Sequence, residues 1–191
     1  MKKKPEITDR TRQNLVDAFW TLYTTQRIDR ITVREITNLA GYNRSTFYEY
    51  FRDVYAVLEY IENQSLPTLE ELPPLIDKDQ RSQVLIDSVL DLYRSKFKYY
   101  GVLLGENGDP AFQRKLKDSL KLTVMQAISS KVVVDKVEID LLLEFVLSGI
   151  IGILIYWFHR KPDISEDRLI EIMYDVMQAD LTSKLQLLMV S

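Results

Sequence analysis

The 191-residue sequence contains no cysteine and a single histidine, His159. Without thiols the chain cannot form disulfides or thiolate metal sites, and it suits a reducing cell interior. One histidine cannot build a multi-histidine metal site, and a Ser-His-Asp triad would have to use that residue. No Gly-rich phosphate loop, nucleophile elbow or carboxylate pair in a metal context is present. We therefore predict a cytoplasmic protein without cofactor or metal that is not an enzyme.

Glycine and proline are scarce, with six residues of each, and no alternating strand pattern lasts beyond a few positions. The most hydrophobic run, residues 141–158, is close to the lower length limit for a membrane span and is interrupted by Glu144. A helix buried inside a bundle or a dimer explains this run better than a membrane anchor. The sequence therefore predicts an all-α protein outside the membrane.

Charge is distributed unevenly along the chain. Residues 1–52 hold ten Lys/Arg and six Asp/Glu, a net charge of +4, so residues 53–191 carry −7 of the chain total of −3. A basic N-terminal part on an acidic body is suited to a polyanion at one end. The lysines at positions 2–4 form either a solvated tail or an arm that contacts DNA phosphate or the minor groove.

Three short helices are predicted within the first fifty or so residues. The first begins at Thr8 or Asp9 and buries a stripe that includes Leu15, Phe19 and Leu22. Thr32 and Glu35 form a capping box that starts the second helix, and Gly41 ends it in the left-handed conformation. Asn43 caps a third helix that turns Phe47 and Phe51 inward. This pattern predicts a homeodomain-like helix-turn-helix.

The residues around the third helix suit contact with DNA. Arg44, Ser45 and Thr46 occupy its first turn, Tyr48 and Tyr50 project from it, and two arginines can reach phosphates. For Thr32, a purely structural cap is favoured over a base contact. The predicted DNA-binding residues are Thr32, Arg34, Asn43, Arg44, Ser45, Thr46, Tyr48, Tyr50 and Arg52.

Prolines at positions 67, 73 and 74 mark a hinge after a fourth helix that opens at Asp53 and carries Tyr55, Leu58 and Ile61. We predict a DNA-binding domain over 1–52 and a helical dimerisation and regulatory domain over 53–191, with the helix 53–64 connecting them. The body is expected to contain helices over 80–104, 111–130 and 135–160 and a last helix capped by Ser165. Along one side of the first of these helices lie Leu85, Val89, Leu92, Lys96 and Tyr99. The apolar face of the last helix carries Leu169, Ile172, Met173, Val176 and Met177.

The predicted body contains an aromatic cluster, whose members Tyr93, Phe97, Tyr100 and Trp157 are either core residues or the lining of a ligand pocket. His159, near the end of the long apolar helix, either lines the mouth of such a pocket or makes a favourable contact with the helix C-terminus. Gly149 and Gly152 lie at i, i+3 in a long helix, where glycine lowers helix stability. Close approach of another helix accounts for them, so we predict a dimer through the helices 138–160 and 165–188.

The run from Ile31 to Ile36, together with the run from Ala40 to Phe51, closely resembles the DNA-binding domain of TetR-type regulators. The resemblance covers residues 8–60. It implies a homodimer, an N-terminal reading head, a palindromic operator and an all-helical body whose last two long helices form the dimer interface. The segments 103–112 and 145–158 resemble a sub-branch with regulators and coactivators of small-carbon kinase operons, including dihydroxyacetone-kinase operons.

Two positions depart from the family pattern: Glu49 stands where a basic residue is common, and Val54 stands where a lysine is common. Each change removes a phosphate contact, which predicts weaker or more salt-sensitive DNA binding. Two modes of control stay open. A small-molecule effector in the body could release a repressor, or the body could bind a protein partner, as in a coactivator or a partner-controlled regulator.

Overall fold

The computed structural model describes residues 5–71, 81–129, 136–160 and 162–176, in which helices are joined by turns and loops and no strand is present. This confirms the all-α prediction. Short 3₁₀ turns lie at Ile28–Arg30 and Leu69–Glu71, and residues 166–176 are helical. The longer helices are α1 (Pro5–Tyr23), α2 (Val33–Ala40), α3 (Arg44–Tyr48), α4 (Val54–Ser65), α5 (Arg81–Leu103), α6 (Pro110–Ser129) and α7 (Lys136–Arg160).

Helix α1 begins at Pro5, earlier than the predicted start at Thr8 or Asp9. Proline is tolerated in a first helical turn because its missing N–H would have no partner there. The lysines predicted to form a basic arm, at positions 2–4, lie outside the described residues.

The chain divides into two compact units, residues 1–65 and 66–191. Helix α4 therefore belongs to the first unit, whereas the sequence analysis assigned it to the second domain as a connection. Its buried face, which includes Val57, Leu58 and Ile61, accounts for this grouping, and α1 packs against it. Tyr55, predicted to share that face, is exposed instead, because Val57 and Glu62 complete the buried stripe.

The core of the first unit is built by α1, α2 and α3. Large side chains from all three helices are completely buried, and each contributes about 1.5–3 kcal/mol of hydrophobic stabilisation. They are Leu15, Phe19, Tyr23, Ile36 and Phe47. The rings of Phe19 and Tyr23 stack with centroids 5.4 Å apart, which joins successive turns of α1.

In the second unit, α6 packs against α7, and an ionic network crosses between them. Lys117 donates to Glu144, while Lys121 donates to Glu144 at 3.2 Å and contacts Asp140 at 2.9 Å. On α5, Leu92 is buried as predicted, but Tyr99 is exposed, since Tyr93 and Tyr100 turn to the core instead. The side chains of residues 85 and 89, predicted for the same stripe, lie outside the described ones.

One face of helix α7 is not covered by the residues that the structure describes. Leu141, Phe145 and Tyr156 are exposed along it, with 72% of Phe145 accessible. Residues Val137–Arg160 are long and apolar enough to span a membrane by length and composition. The most apolar 18-residue stretch of this helix has a mean hydropathy of 2.2, and a third of that stretch is buried. A core helix of a protein outside the membrane has the same properties.

The last helical segment begins as predicted at Ser165, whose hydroxyl accepts from the Arg168 amide at 3.2 Å. Leu169 and Met173 are buried, whereas Val176, predicted for the same apolar face, is exposed. Met177, also predicted for that face, lies outside the described residues.

Candidate DNA interface

The capping box at the start of α2 is present in both directions. The Glu35 amide donates to the Thr32 hydroxyl at 3.2 Å, and the Thr32 amide and hydroxyl donate to the Glu35 carboxylate at 2.9 and 2.7 Å. These bonds from Thr32 hold the pKa of Glu35 below its usual value. The hydroxyl proton of Thr32 is therefore engaged locally, which favours a structural role for this residue.

The turn between α2 and α3 depends on Gly41, which has φ +75° and ψ +30°. A side chain is strained in this left-handed region, so glycine is required by conformation and not by lack of space. The next amide, that of Tyr42, donates to the Thr37 carbonyl at 2.9 Å and closes the end of α2.

Asn43 occupies the residue before α3, but its side chain makes no capping hydrogen bond, contrary to the prediction that it caps the helix. Its carbonyl accepts from the Thr46 amide at 3.0 Å, so α3 is started by backbone bonding. The exposed side chain of Asn43 is thus not used as a cap.

Helix α3 is amphipathic over one and a half turns. Phe47 is completely buried and Phe51, just beyond the helix, nearly so, as predicted for an anchoring face. Arg44, Ser45 and Tyr48 are exposed on the other side, with 59% of Tyr48 accessible, and Thr46 is half-buried. The Tyr48 ring meets Phe47 edge-on at 5.6 Å, which restrains it without covering its hydroxyl.

The flanking cations lie on separate elements of the same unit. Arg34 is exposed on α2. Arg52, which follows α3, lies 3.5 Å from Asp53 and 3.9 Å from Glu59, both of them exposed contacts. Surface ion pairs of this kind contribute little, about 0–1 kcal/mol, so Arg52 can exchange them for a phosphate.

Tyr50 has a neighbour that sequence reasoning missed. The Arg12 guanidinium on α1 lies over the Tyr50 ring, 5.8 Å from its centroid, and also pairs with Asp9 at 3.3 Å. Arg12 and Tyr50 are distant in sequence, and only the packing of α1 brings them together. Arg12 thus adds a positive charge beside α3 from an element that the motif does not include.

The two departures from the family pattern lie at the surface of the same unit. Glu49 is exposed directly after α3, and Val54 is half-buried at the start of α4. Asp53 begins α4 as predicted, because its carboxylate accepts from the Ala56 amide at 2.8 Å. A lysine at position 54 would therefore begin the same helix and add a charge that this chain lacks.

The four aromatic residues predicted to line a ligand pocket contact one another in the second unit. The ring centroids of Phe97 lie 5.4 Å from Tyr93 and 5.7 Å from Trp157, and Tyr93 lies 6.4 Å from Tyr100. Burial raises the pKa of Tyr93 and of Tyr100, helped by the nearby charges of Glu166 and Glu71, respectively. Because the four aromatic rings contact one another, they fill the space between these side chains. The raised pKa values keep the hydroxyls of Tyr93 and Tyr100 protonated.

Two polar atoms of this aromatic cluster are buried without a hydrogen-bond partner among the described residues, the Tyr93 hydroxyl and the Trp157 indole nitrogen. Both atoms are donors. A separate groove of about 430 Å³ lies between α5 and residues 166–176, and none of the four aromatic residues lines it. It is lined by Asp87, Leu90, Asp91, Arg94, Ile170, Glu171, Tyr174 and Asp175.

His159, at the end of α7, bonds through its Nε2 to the carbonyl of Leu104 at 3.2 Å. The sequence left it either at a pocket mouth or in a favourable position at a helix end. It ties the end of α7 to the turn that follows α5.

The described residues are all-helical, and the first unit contains a helix-turn-helix. This architecture places the protein in the class of helix-turn-helix regulators. The model of a TetR C-terminal family, described as a transcriptional regulator C-terminal region, matches residues 81–179, just over half of the chain. The protein belongs to the TetR family of transcriptional regulators. Regulators of this family are soluble, bind DNA and typically act as dimers.

Solved structures have the same fold. The dihydroxyacetone kinase operon activator DhaS has a TM-score of 0.63 at 18% identity, with 94% of this chain and 98% of that chain covered. A TetR transcriptional regulator from Streptococcus agalactiae has 0.62 at 20% identity, covering 90% and 96%. The fatty acid degradation regulator FadR from Bacillus halodurans has 0.63 at 13% identity, covering 95% and 98%. No curated protein sequence matches the chain significantly.

Proposed function

We propose that this TetR-family regulator is a cytoplasmic protein that binds a specific DNA sequence through α3, and that it does so as a homodimer on a palindromic operator. The observation that carries the proposal is the two-sided character of α3. Phe47 anchors the helix in the core, while Arg44, Ser45 and Tyr48 stay exposed. A short helix anchored in this way can enter a major groove with its polar side facing the base edges.

The charge of residues 1–52 supports the same assignment. The net charge of +4 over residues 1–52 supplies the attraction to phosphate that dominates DNA affinity. Arg34 and Arg52 would hold the backbone on either side of α3, and Arg12 would add a contact beside Tyr50. Glu49 opposes this attraction, so we expect a modest number of ionic contacts for each head.

The uncovered face of α7 supports a homodimer. The exposed residues Leu141 and Phe145 form an apolar surface, and a Cβ added at Gly149 or Gly152 would meet no other side chain within 4 Å among the described residues. These glycines therefore leave room for a helix from a second copy. The second predicted interface helix, 165–188, is described only through residue 176.

For control, we propose a repressor that a small-molecule effector releases. The buried donors of Tyr93 and Trp157 support an effector with hydrogen-bond acceptors, which would satisfy them. Lys96 would transmit the binding of the effector to the segment that follows α4. The ammonium of Lys96 donates to the carbonyl of Leu66 and to Glu71, both at 2.9 Å. The segment that continues from α4 is thus held by the same helix that carries Tyr93 and Phe97.

The alternative is a coactivator or partner-controlled regulator whose body binds another protein. Two observations favour it. The four aromatic rings already contact one another, so an effector would have to separate them. In addition, the fold is shared with DhaS, which is named an activator of a kinase operon.

The DNA-binding proposal is tested by fluorescence anisotropy with labelled duplexes from the DNA that flanks the protein's own gene, at several salt concentrations, beside a random duplex. We expect selective binding that the double variant Arg44→Ala, Tyr48→Ala loses. Loss of a base-reading arginine alone costs about 1–3 kcal/mol. Arg114→Ala, which removes an exposed charge from α6, is the matched control and should bind as the parent does.

Binding of the parent that never exceeds binding to the random duplex would contradict sequence-specific recognition by this protein alone and favour the partner-dependent alternative. Of the two outcomes that Glu49 and Val54 predict, we expect weaker binding and not greater salt sensitivity, because few ionic contacts give a shallow dependence of affinity on salt. A steep dependence at high affinity would instead show that Glu49 and Val54 cost the interface nothing.

The mode of control is tested with Trp157 as a reporter, after Trp20→Phe has removed the other tryptophan. Small molecules that release the DNA should change the Trp157 emission, and Tyr93→Phe should weaken their action. If protein partners alter DNA binding while no small molecule changes this emission, the coactivator alternative is supported.

A further inference from the structure

We propose that the Tyr42 hydroxyl donates a hydrogen bond to a DNA phosphate and that Asn14, on α1, is the positioning residue that directs it there. The inference rests on the proposed DNA-binding function and deepens it, because Tyr42 and Asn14 lie outside the residues that the motif predicts for DNA contact. The Asn14 side-chain amide donates to the Tyr42 hydroxyl oxygen at 2.9 Å, across 28 positions of sequence.

Tyr42 is held at both of its ends. Its backbone follows Gly41, whose left-handed conformation sets the direction of the chain, and its amide is bonded to the carbonyl of Thr37 at 2.9 Å. Its hydroxyl is held by Asn14. Because both ends are restrained in the free protein, little side-chain entropy is lost when the hydroxyl meets a ligand.

The chemistry of the bond leaves a donor available. A phenol hydroxyl has one proton to donate and lone pairs to accept, and the amide of Asn14 uses a lone pair. The proton has no acceptor among the described residues. Tyr42 is half-buried, so the hydroxyl proton needs an acceptor that comes from outside the chain.

The surroundings of Tyr42 favour a phosphate as that acceptor. Asn43, Arg44 and Ser45, which follow it, are all exposed and lead directly into α3. Arg44 brings a positive charge two residues away. Tyrosine is among the side chains that bind DNA phosphates, and a contact from this turn would set the depth of α3 without reading sequence.

The test is a double-mutant cycle on DNA affinity with Tyr42→Phe and Asn14→Leu, each of which removes a hydrogen-bonding group at nearly constant volume. Affinity is measured by anisotropy, on the selected duplex and on a random duplex, at a temperature where melting curves show every variant folded. Tyr42→Phe should weaken binding about tenfold or more on both duplexes, since the lost bond is to a charged group. Asn14→Leu should weaken binding in the parent and have no effect in the Tyr42→Phe variant.

The salt dependence separates this contact from an ionic one. A neutral hydroxyl releases no counterion, so Tyr42→Phe should lower affinity and leave the salt slope unchanged, whereas Arg44→Ala should reduce the slope. Asn14→Asp supplies a carboxylate that takes the hydroxyl proton. It should therefore cost more affinity in the parent than in the Tyr42→Phe variant, where only its charge acts.

Parental affinity for Tyr42→Phe would overturn the proposal. Equal losses for Asn14→Leu in the two backgrounds would show that Asn14 acts on the fold and does not direct Tyr42. If the parent binds no duplex, and Arg44→Ala changes nothing, the proposed DNA-binding function fails and this inference fails with it. Parental binding that Arg44→Ala weakens and Tyr42→Phe does not would overturn the inference alone.

Discussion

The α2–α3 region and helix α7 satisfy their side chains in different ways. Around α2 and α3, the polar groups at the helix ends form hydrogen bonds with residues close in sequence, as in the pair Thr32 and Glu35 and at the Gly41 turn. In α7, apolar residues such as Phe145 are not covered by any of the residues that the structure describes. The first region therefore reaches its structure by local bonding, whereas the second has a surface suited to a partner.

The largest effect that tests this comparison is expected at α7. Phe145→Glu places a charge in the proposed interface between two copies, where it would be buried without a partner. We expect the dimer to weaken by roughly a hundredfold or more, as is found for central apolar anchors of interfaces. Sedimentation velocity over a range of protein concentrations measures this change.

Leu122→Glu is the matched control, because Leu122 on α6 is also largely exposed, at 63%. It should leave the dimer intact. Equal dimerisation of both variants and the parent would show that the uncovered face of α7 is not the interface.

A smaller effect is expected in the α2–α3 region, at Gly41. Gly41→Ala puts a Cβ on a residue with φ +75°, although apart from its chain neighbours that Cβ would meet no described atom within 4 Å. The left-handed conformation costs an L-residue about 1–2 kcal/mol, so the free energy of unfolding of the first unit should fall by that amount. Urea unfolding followed through the Trp20 emission of a Trp157→Phe variant measures it.

Gly149→Ala makes the same chemical change in the interior of α7. In a single copy it should favour the helix by about 0.5–1 kcal/mol, because alanine is the better helix former. If a second copy approaches there, the added methyl group should weaken the dimer instead. An unchanged or tighter dimer would argue against close approach at this glycine.

The smallest effect concerns the capping box at low pH. Hydrogen bonds from Thr32 lower the pKa of Glu35, so its stabilising contribution is present above the ordinary carboxyl pKa of 4.5 and is lost as pH falls through the lowered folded value. The melting temperature of the parent should therefore approach that of Glu35→Gln as pH falls from about 6 to about 3. Glu144→Gln, on α7, is the corresponding variant in the second unit, and its melting temperature is compared with that of the parent over the same pH range. Hydrogen bonds from Lys117 and Lys121 also lower the pKa of Glu144. A constant difference between the parent and Glu35→Gln across this range would contradict a role for the Glu35 charge.

Much of the first unit could be predicted because its signals are short in sequence. The capping box, Gly41 and the inward turn of Phe47 and Phe51 all follow from spacings of one to four residues, and each of these features is present. Asn43 was predicted to cap α3 and does not, since its preference for that position does not ensure a side-chain bond. The start of α1 at Pro5 also differed, because proline in a first turn is compatible with a helix as well as with a turn.

The exposed positions of Tyr55 and Tyr99 show the limit of periodicity. At i, i+3 and i+4 spacing, two neighbouring stripes of a helix are both apolar in α4 and in α5, and packing decides which of them is buried. Val57 and Tyr93 are the residues buried in their place.

The sequence alone determined the helical class, the bounds of the reading motif within a few residues and the resemblance to the TetR family, because caps, turns and short-range periodicity act between near neighbours. Tertiary structure alone decided that Asn14 meets Tyr42 and that Arg12 lies over Tyr50, since these pairs are about 30 to 40 positions apart in the chain. It also decided that the aromatic residues of the body contact one another. The physical reason is that side chains on separate helices meet only when the axes of those helices are placed, and that placement depends on the whole core.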